Sequence, residues 1–174
     1  GLTSGRVVVG AAALRLTRHL AGAPTGFPAC PAPHWREGLA GSLRDGLRAL
    51  PRDWKATLIL LVDQVAVSRA DLARLLRAAQ RGGRWCLAAA QDPVSGRLQA
   101  PVVLPRPHAA AARALQGDAG LGGWLRSLPA GRVIAVPMPA AVPDLDTPAD
   151  AAQVRTVGAL RGAATRREFR RCPA

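Results

Sequence analysis

The spacing of apolar positions along this chain changes several times, and each change predicts a new element. Arg6–Val9 is a short β-branched run, read as a first strand. Ala11–Leu20 is rich in alanine and predicts a helix. From Ala21 to Pro33, prolines and glycines break any period, so a loop is expected. Leu39, Leu43, Leu47 and Leu50 then recur at the spacing of one buried helical face, and Pro51 ends that helix. The run Thr57–Val62 (TLILLV) is apolar on both faces, which predicts a strand covered on each side at the centre of a parallel sheet.

Further along, Ser68 with Asp71 three residues later is the register of a capping box. Leu72, Leu75, Leu76 and Ala79 form the apolar stripe of the helix it opens, and Gly82 and Gly83 stop it. Trp85–Ala90 reads as a strand, Asp92-Pro93-Val94-Ser95-Gly96 as a turn, and Gln99–Leu104 as the return strand. His108–Leu115 and Leu121–Leu128 predict short helices, and Arg132–Val136 a strand. Thr147-Pro148-Ala149-Asp150 supplies an N-cap, a first-turn proline and an acid, opening a helix to about Leu160. Helices alternating with short apolar strands predict an α/β fold: a three-layer, mostly parallel sheet with helices on both faces. No second domain is visible, so residues 1–160 are read as one domain and residues 161–174 as a basic tail.

Composition narrows the class. A chain of 174 residues, 49% hydrophobic and 20% charged, is long enough to bury one core and sits in the globular range. No apolar run approaches the roughly 20 residues that span a bilayer, and no secretory leader opens the sequence. Cys30, Cys86 and Cys172 are odd in number and widely spaced, which argues against a disulfide framework or a zinc site and for unreactive thiols in a reducing compartment. The expectation is a soluble, cytoplasmic protein without a membrane partner. The net charge is +13, almost wholly arginine, with Lys55 the only lysine and five arginines in the tail against Glu168. Such a surplus attracts phosphates. Four Trp, two Phe and no Tyr are too few aromatics for an interleaved nucleic-acid surface, so a dedicated nucleic-acid module is disfavoured.

Candidate chemistry is confined to three segments. Asp63 directly follows the apolar run, where open sheets bind ligands; taken alone it is either a ligand-site acid or a structural cap. Asp144-Leu145-Asp146-Thr147-Pro148 puts two carboxylates on one side of an extended segment, suited to Mg²⁺ or to capping the following helix. The glycines between Gly38 and Gly46 allow close backbone approach, and Ser42 offers a hydroxyl near a helix start. The spacing around Ser42 is not that of a nucleophile elbow. His19, His34 and His108 lack metal-ligand or triad spacing.

Taken together, GRVVVGAAA, HWREGLAGSLRDGL, LILLVDQ, APVVL, LQGDAG and DLDTPAD resemble, in order and spacing, the molybdenum cofactor cytidylyltransferases, of the nucleotide-diphospho-sugar transferase-like fold. The resemblance covers about residues 5–157. It implies that Asp63 and Asp144 are the catalytic acids and hold Mg²⁺, with Gln64 beside them among the ligand-binding residues. It also implies that Gly38 and Ser42 lie against the nucleobase, and that Pro101, Gly117 and Asp118 lie near the acceptor. The implied reaction transfers a cytidylyl group from CTP (GTP in a sister branch) to a pterin phosphate, releasing pyrophosphate, with a molybdoenzyme or chaperone as a possible protein partner.

Several positions depart from the family pattern. Nothing in the chain matches its first strand and the glycine-rich loop bearing an arginine and a lysine for the triphosphate. Together with the opening Gly1, this predicts an N-terminally truncated version of the fold, weak nucleotide binding and no measurable transfer by residues 1–174 alone. The alternative is a non-catalytic member that binds a nucleotide or a partner. Val65 stands where proline is usual after the Asp-Gln pair, Gln99-Ala100 replaces a common Gly-His, and Gly122 stands where arginine is frequent.

Overall fold

Val7–Val9 is strand β1, and Ala13–Ala21 is helix α1. They belong to a computed structural model that describes residues 4–21, 26–117 and 121–142. After α1 the chain returns to form β2 (Ala29–Pro31), parallel to β1, with Val7 opposite Ala29 and Val9 opposite Pro31. Two parallel strands need a crossover, and α1 supplies it. The expected Ala21–Pro33 loop thus contains a strand. Its three residues carry no period of their own, and Pro31 suits a strand that needs few ladder bonds.

A 3₁₀ turn (Trp35–Glu37) leads into α2 (Leu39–Arg48). The chain then makes β3 (Ala56–Ile59), α3 (Arg69–Gly82), β4 (Leu87–Gln91) and β5 (Leu98–Pro105). A second 3₁₀ turn (Arg106–His108) precedes α4 (Ala109–Arg113). Helix α5 (Leu121–Ser127), β6 (Val133–Pro137) and a last 3₁₀ turn (Pro139–Ala141) complete the described chain. The helix expected from Thr147 and the tail 161–174 lie outside the described residues.

Strands β3 to β6 form one sheet in the order β3-β5-β4-β6. β5 runs antiparallel to both neighbours, and β4 and β6 are parallel, so β3, β4 and β6 share one direction and only β5 opposes them. The hairpin between β4 and β5 is closed by Asp92 N–H donating to Arg97 O and Gly96 N–H to Asp92 O, both at 2.9 Å.

Period-2 alternation divides the buried side chains between the two faces. Leu87, Ala89, Val102 and Leu104 point to one face, with Leu47 of α2, Ala112 of α4 and Leu121 and Leu125 of α5. Ala88, Ala90 and Val103 point to the other, with Leu75 of α3, Val136, Met138, Ala140 and Ala141. The result is the expected three layers.

The central placement of Thr57–Val62 is corrected. β3 ends at Ile59 and lies at one end of the four-stranded sheet, while β5 and β4 are its inner strands. Leu60 and Val62 beyond it are 48% and 86% exposed. Apolarity on both faces marks affinity for a covered position and does not report strand order. The hairpin return of β5 takes the inner place beside β3. Ser68 does cap α3: its side chain accepts from Asp71 N–H, and the Asp71 carboxylate accepts from Ser68 N–H. Among the described residues no helix is long and apolar enough to cross a membrane.

Candidate active site

Because β3, β4 and β6 run the same way, their carboxyl ends meet at one end of the sheet, where open α/β sheets bind ligands. Asp63 lies there, on the turn after β3, and its Oδ1 is buried with no hydrogen-bond partner in the described structure. Gln64 follows, 93% buried (7% exposed). Its Nε2 donates to the carbonyls of Ala100 and Ala141, both at 2.9 Å, while its Oε1 is also buried and unpartnered. Ala100 precedes Pro101 through a cis peptide bond. The Gln64 bonds thus tie the turn after β3, which also carries Asp63, to the Ala100-Pro101 stretch of β5 and to the 3₁₀ turn that follows β6.

The second cluster forms at the start of α2. Gly38 enters the helix at φ 85°, a left-handed conformation that favours glycine. Gly41 packs against the preceding segment so closely that a Cβ would collide with the His34 carbonyl oxygen. That segment is tied down by Asp45, which is itself 93% buried (7% exposed). Asp45 Oδ2 accepts from His34 N–H at 3.0 Å, and His34 Nδ1 lies 2.9 Å from Oδ1. Burial alone would raise the Asp45 pKa. The His34 backbone and ring hydrogen bonds, then the charges of His34 and Arg44, outweigh it, and the carboxyl is held below its ordinary range.

Ala40 N–H donates to Gly117 O at 3.2 Å, joining the turn after α4 to the α2 start. A cleft of about 280 Å³ opens there, lined by Glu37, Ala40, Gly41, Arg44, Gln116 and Gly117, with Arg44 and Glu37 ion-paired. Gly38 adjoins this cleft at the helix start. Ser42 lies in the first turn of α2 and is not among the residues lining the cleft. Of the residues expected at the nucleobase and the acceptor, Gly117 alone lines this cleft among the described residues. Asp118 and Asp144 lie outside the described residues.

A larger cleft, about 410 Å³, lies near the amino end of β3, lined by Arg48, Arg52, Arg106 and Arg113 together with Trp54. The C-terminal end of α2 borders it, so the helix N-terminus is directed toward the end of the sheet that carries Asp63. Cys30 is a free thiol whose pKa burial pushes up.

Two residues escaped sequence reasoning. Asp45 bonds a residue eleven positions back, and Gln99 donates through Nε2 to Ala141 O at 2.7 Å, 42 positions on. The only sequence signal for Gln99 was its departure from the family pattern.

Comparison with known proteins yields one family model, the MobA-like NTP transferase domain, which matches residues 2–133. The Rv0371c protein of Mycobacterium tuberculosis H37Rv, solved in complex with manganese, superposes with a TM-score of 0.69. It is 23% identical, over 88% of this chain and 78% of that one. A homologue of Rv0371c from Mycobacterium sp. strain JC1 gives 0.68 at 21% identity, over 91% of this chain and 77% of that one. Molybdopterin-guanine dinucleotide biosynthesis protein A from Archaeoglobus fulgidus gives 0.58 at 13%, over 87% and 78%. Among curated proteins, none matches this sequence.

Proposed function

This chain belongs to the MobA-like NTP transferase domain family, and from that premise we propose that it moves a cytidylyl group from CTP to a molybdopterin-type phosphate, releasing pyrophosphate. The observation that carries the reading is the buried, unpartnered Oδ1 of Asp63 at the carboxyl end of β3. A buried acceptor left unpaired costs about 1–3 kcal/mol, and a hard divalent cation removes that cost.

Among the described residues no cluster of three or more His, Cys, Asp or Glu could hold a metal. Mg²⁺ is suited to such a sparse donor set, since it takes one or two carboxylates and completes its shell with water and phosphate oxygens. Asp63 would hold it together with Asp144, which follows Ala141 by three residues in the sequence. That the Rv0371c protein was solved in complex with manganese supports divalent-metal binding in this family. When bound, Mg²⁺ supplies charge neutralisation across the triphosphate.

The chain's own residues do the rest by positioning. Gly38 and Ser42 hold the nucleobase at the start of α2, and Pro101, Gly117 and Asp118 orient the acceptor. An acceptor phosphate oxygen attacks the α-phosphorus in line as the bond to pyrophosphate breaks, and no covalent protein intermediate is needed. The reading places the protein in the cytoplasm, and the family's alternative nucleotide is GTP.

The test is a titration with Mn²⁺ as a paramagnetic stand-in, followed by electron spin resonance. Asp63→Ala is expected to weaken Mn²⁺ binding by about tenfold or more, and CTP is expected to tighten it more than GTP does. Binding indifferent to Asp63 rejects the metal site, and equal responses to both nucleotides reject the cytidylyl assignment. Because residues 1–174 alone are expected to show no transfer, activity is tested with the family's glycine-rich loop supplied ahead of Gly1. Metal and CTP binding without pyrophosphate release in that protein, with molybdopterin present, moves the reading to a non-catalytic binding module.

A further inference from the structure

We propose that Gln64 and Gln99 form an amide clamp on the carbonyl of Ala141, and that this clamp positions the turn carrying Asp63 for its metal. The proposal rests on the metal reading above and names two positioning residues for it. Ala141 is fully buried, and its carbonyl accepts two side-chain amides, from Gln64 Nε2 at 2.9 Å and Gln99 Nε2 at 2.7 Å. Gln64 spends its other hydrogen on Ala100 O at 2.9 Å.

Those partners fix the orientation of the Gln64 amide. Both are carbonyl oxygens, which only accept, so turning the amide over would set Oε1 against two acceptors. Oε1 therefore points elsewhere, and it is buried without a partner. Each acceptor left open on this turn, Asp63 Oδ1 and Gln64 Oε1, calls for a donor or a cation. Each hydrogen of Gln64 Nε2 is spent on holding the turn to its neighbours.

Gln99 reaches the same carbonyl from a different strand. By the alternation of β5 it shares a face with Val103, which packs with Ala140 and Ala141. The turn after β3, the start of β5 and the turn after β6 are thereby joined at a single oxygen atom. The Ala141 N–H is already spent on Met138 O at 3.0 Å, so the two glutamines act on the remaining backbone polar group of that residue.

Gln99→Met tests the clamp, because methionine matches glutamine in length and lacks the donor. Two readouts are taken on the 174-residue chain: Mn²⁺ affinity, and hydrogen exchange at the Ala141 and Val142 amides. Gln99→Met is expected to weaken Mn²⁺ binding by about tenfold, the low end of what second-sphere changes cost metal sites, and to speed exchange at both amides. Gln64→Met should do the same, with the double variant losing less than the sum of the two, since both act through one carbonyl. Unchanged Mn²⁺ affinity in Gln99→Met, alongside loss in Asp63→Ala, overturns the clamp and leaves the metal site standing. Mn²⁺ binding that survives Asp63→Ala overturns the metal reading, and the positioning role falls with it. If Gln64→Met does not fold, Gln99→Met at its half-buried position decides alone.

Discussion

At Gly41 the backbone of α2 passes so close to the His34 carbonyl that a side chain has nowhere to go. Alanine inside a helix ordinarily gains up to about 1 kcal/mol over glycine. Here the clash is with backbone, which cannot swing aside. Gly41→Ala is expected to destabilise the fold by about 1–3 kcal/mol, read from the midpoint of urea unfolding, and a stabilised variant would contradict the packing described. Asp45 gives a pH dependence with a definite sign. Its folded pKa lies below the ordinary one because the His34 bonds outweigh burial, so the unfolded chain binds the proton more tightly. The stabilisation is complete above the unfolded value of about 3.9 and is lost as pH falls through the lower folded value. Asp45→Asn should cost about 1–3 kcal/mol at neutral pH and flatten the decline in stability below about pH 4; an identical acid limb would rule this out. The place of Asp63 just past β3 was legible in the sequence because an acid after an apolar strand stands out locally. Asp45 and Gln99 were not, because their meaning lies in partners that only the fold brings near.

Elements were most legible where a local rule closes on itself. The Ser68–Asp71 box is complete within four residues, and it forms. Ser68→Ala is expected to lower stability by about 1 kcal/mol, with faster hydrogen exchange at Asp71 and Leu72; no change in either would mean the cap is idle. The period of α2 and the turn between β4 and β5 were local in the same way. Strand β2 was missed because three residues flanked by prolines and glycines carry no period, and only β1 beside them makes them a strand. β3 was recognised as a strand but put in the wrong place, since its apolar run is equally compatible with either side of β5. Sheet order depends on which segments meet across tens of residues, and no window along the chain contains it.

Across the whole molecule, two quantities pull against each other. The chain carries +13, which keeps copies apart at low ionic strength. β3, however, is paired on one side only among the described residues, and its edge runs on into the half-exposed Leu60. A strand edge with open N–H and C=O groups is a template for another strand. Repulsion between copies fades as salt shortens the screening length from about 30 Å at 0.01 M to about 3 Å at 1 M. The protein should therefore behave as a colloid with a salt threshold: clear at low ionic strength and increasingly scattering as the charge barrier collapses. Leu60→Lys puts a cation on the nucleating rim itself and is expected to move that threshold to higher salt, as followed by static light scattering. Equal thresholds for the two proteins would mean that association starts elsewhere. On this account the arginines that draw phosphates toward the fold also act as its shelf-life, holding apart copies whose sheet edges would otherwise grow into one another.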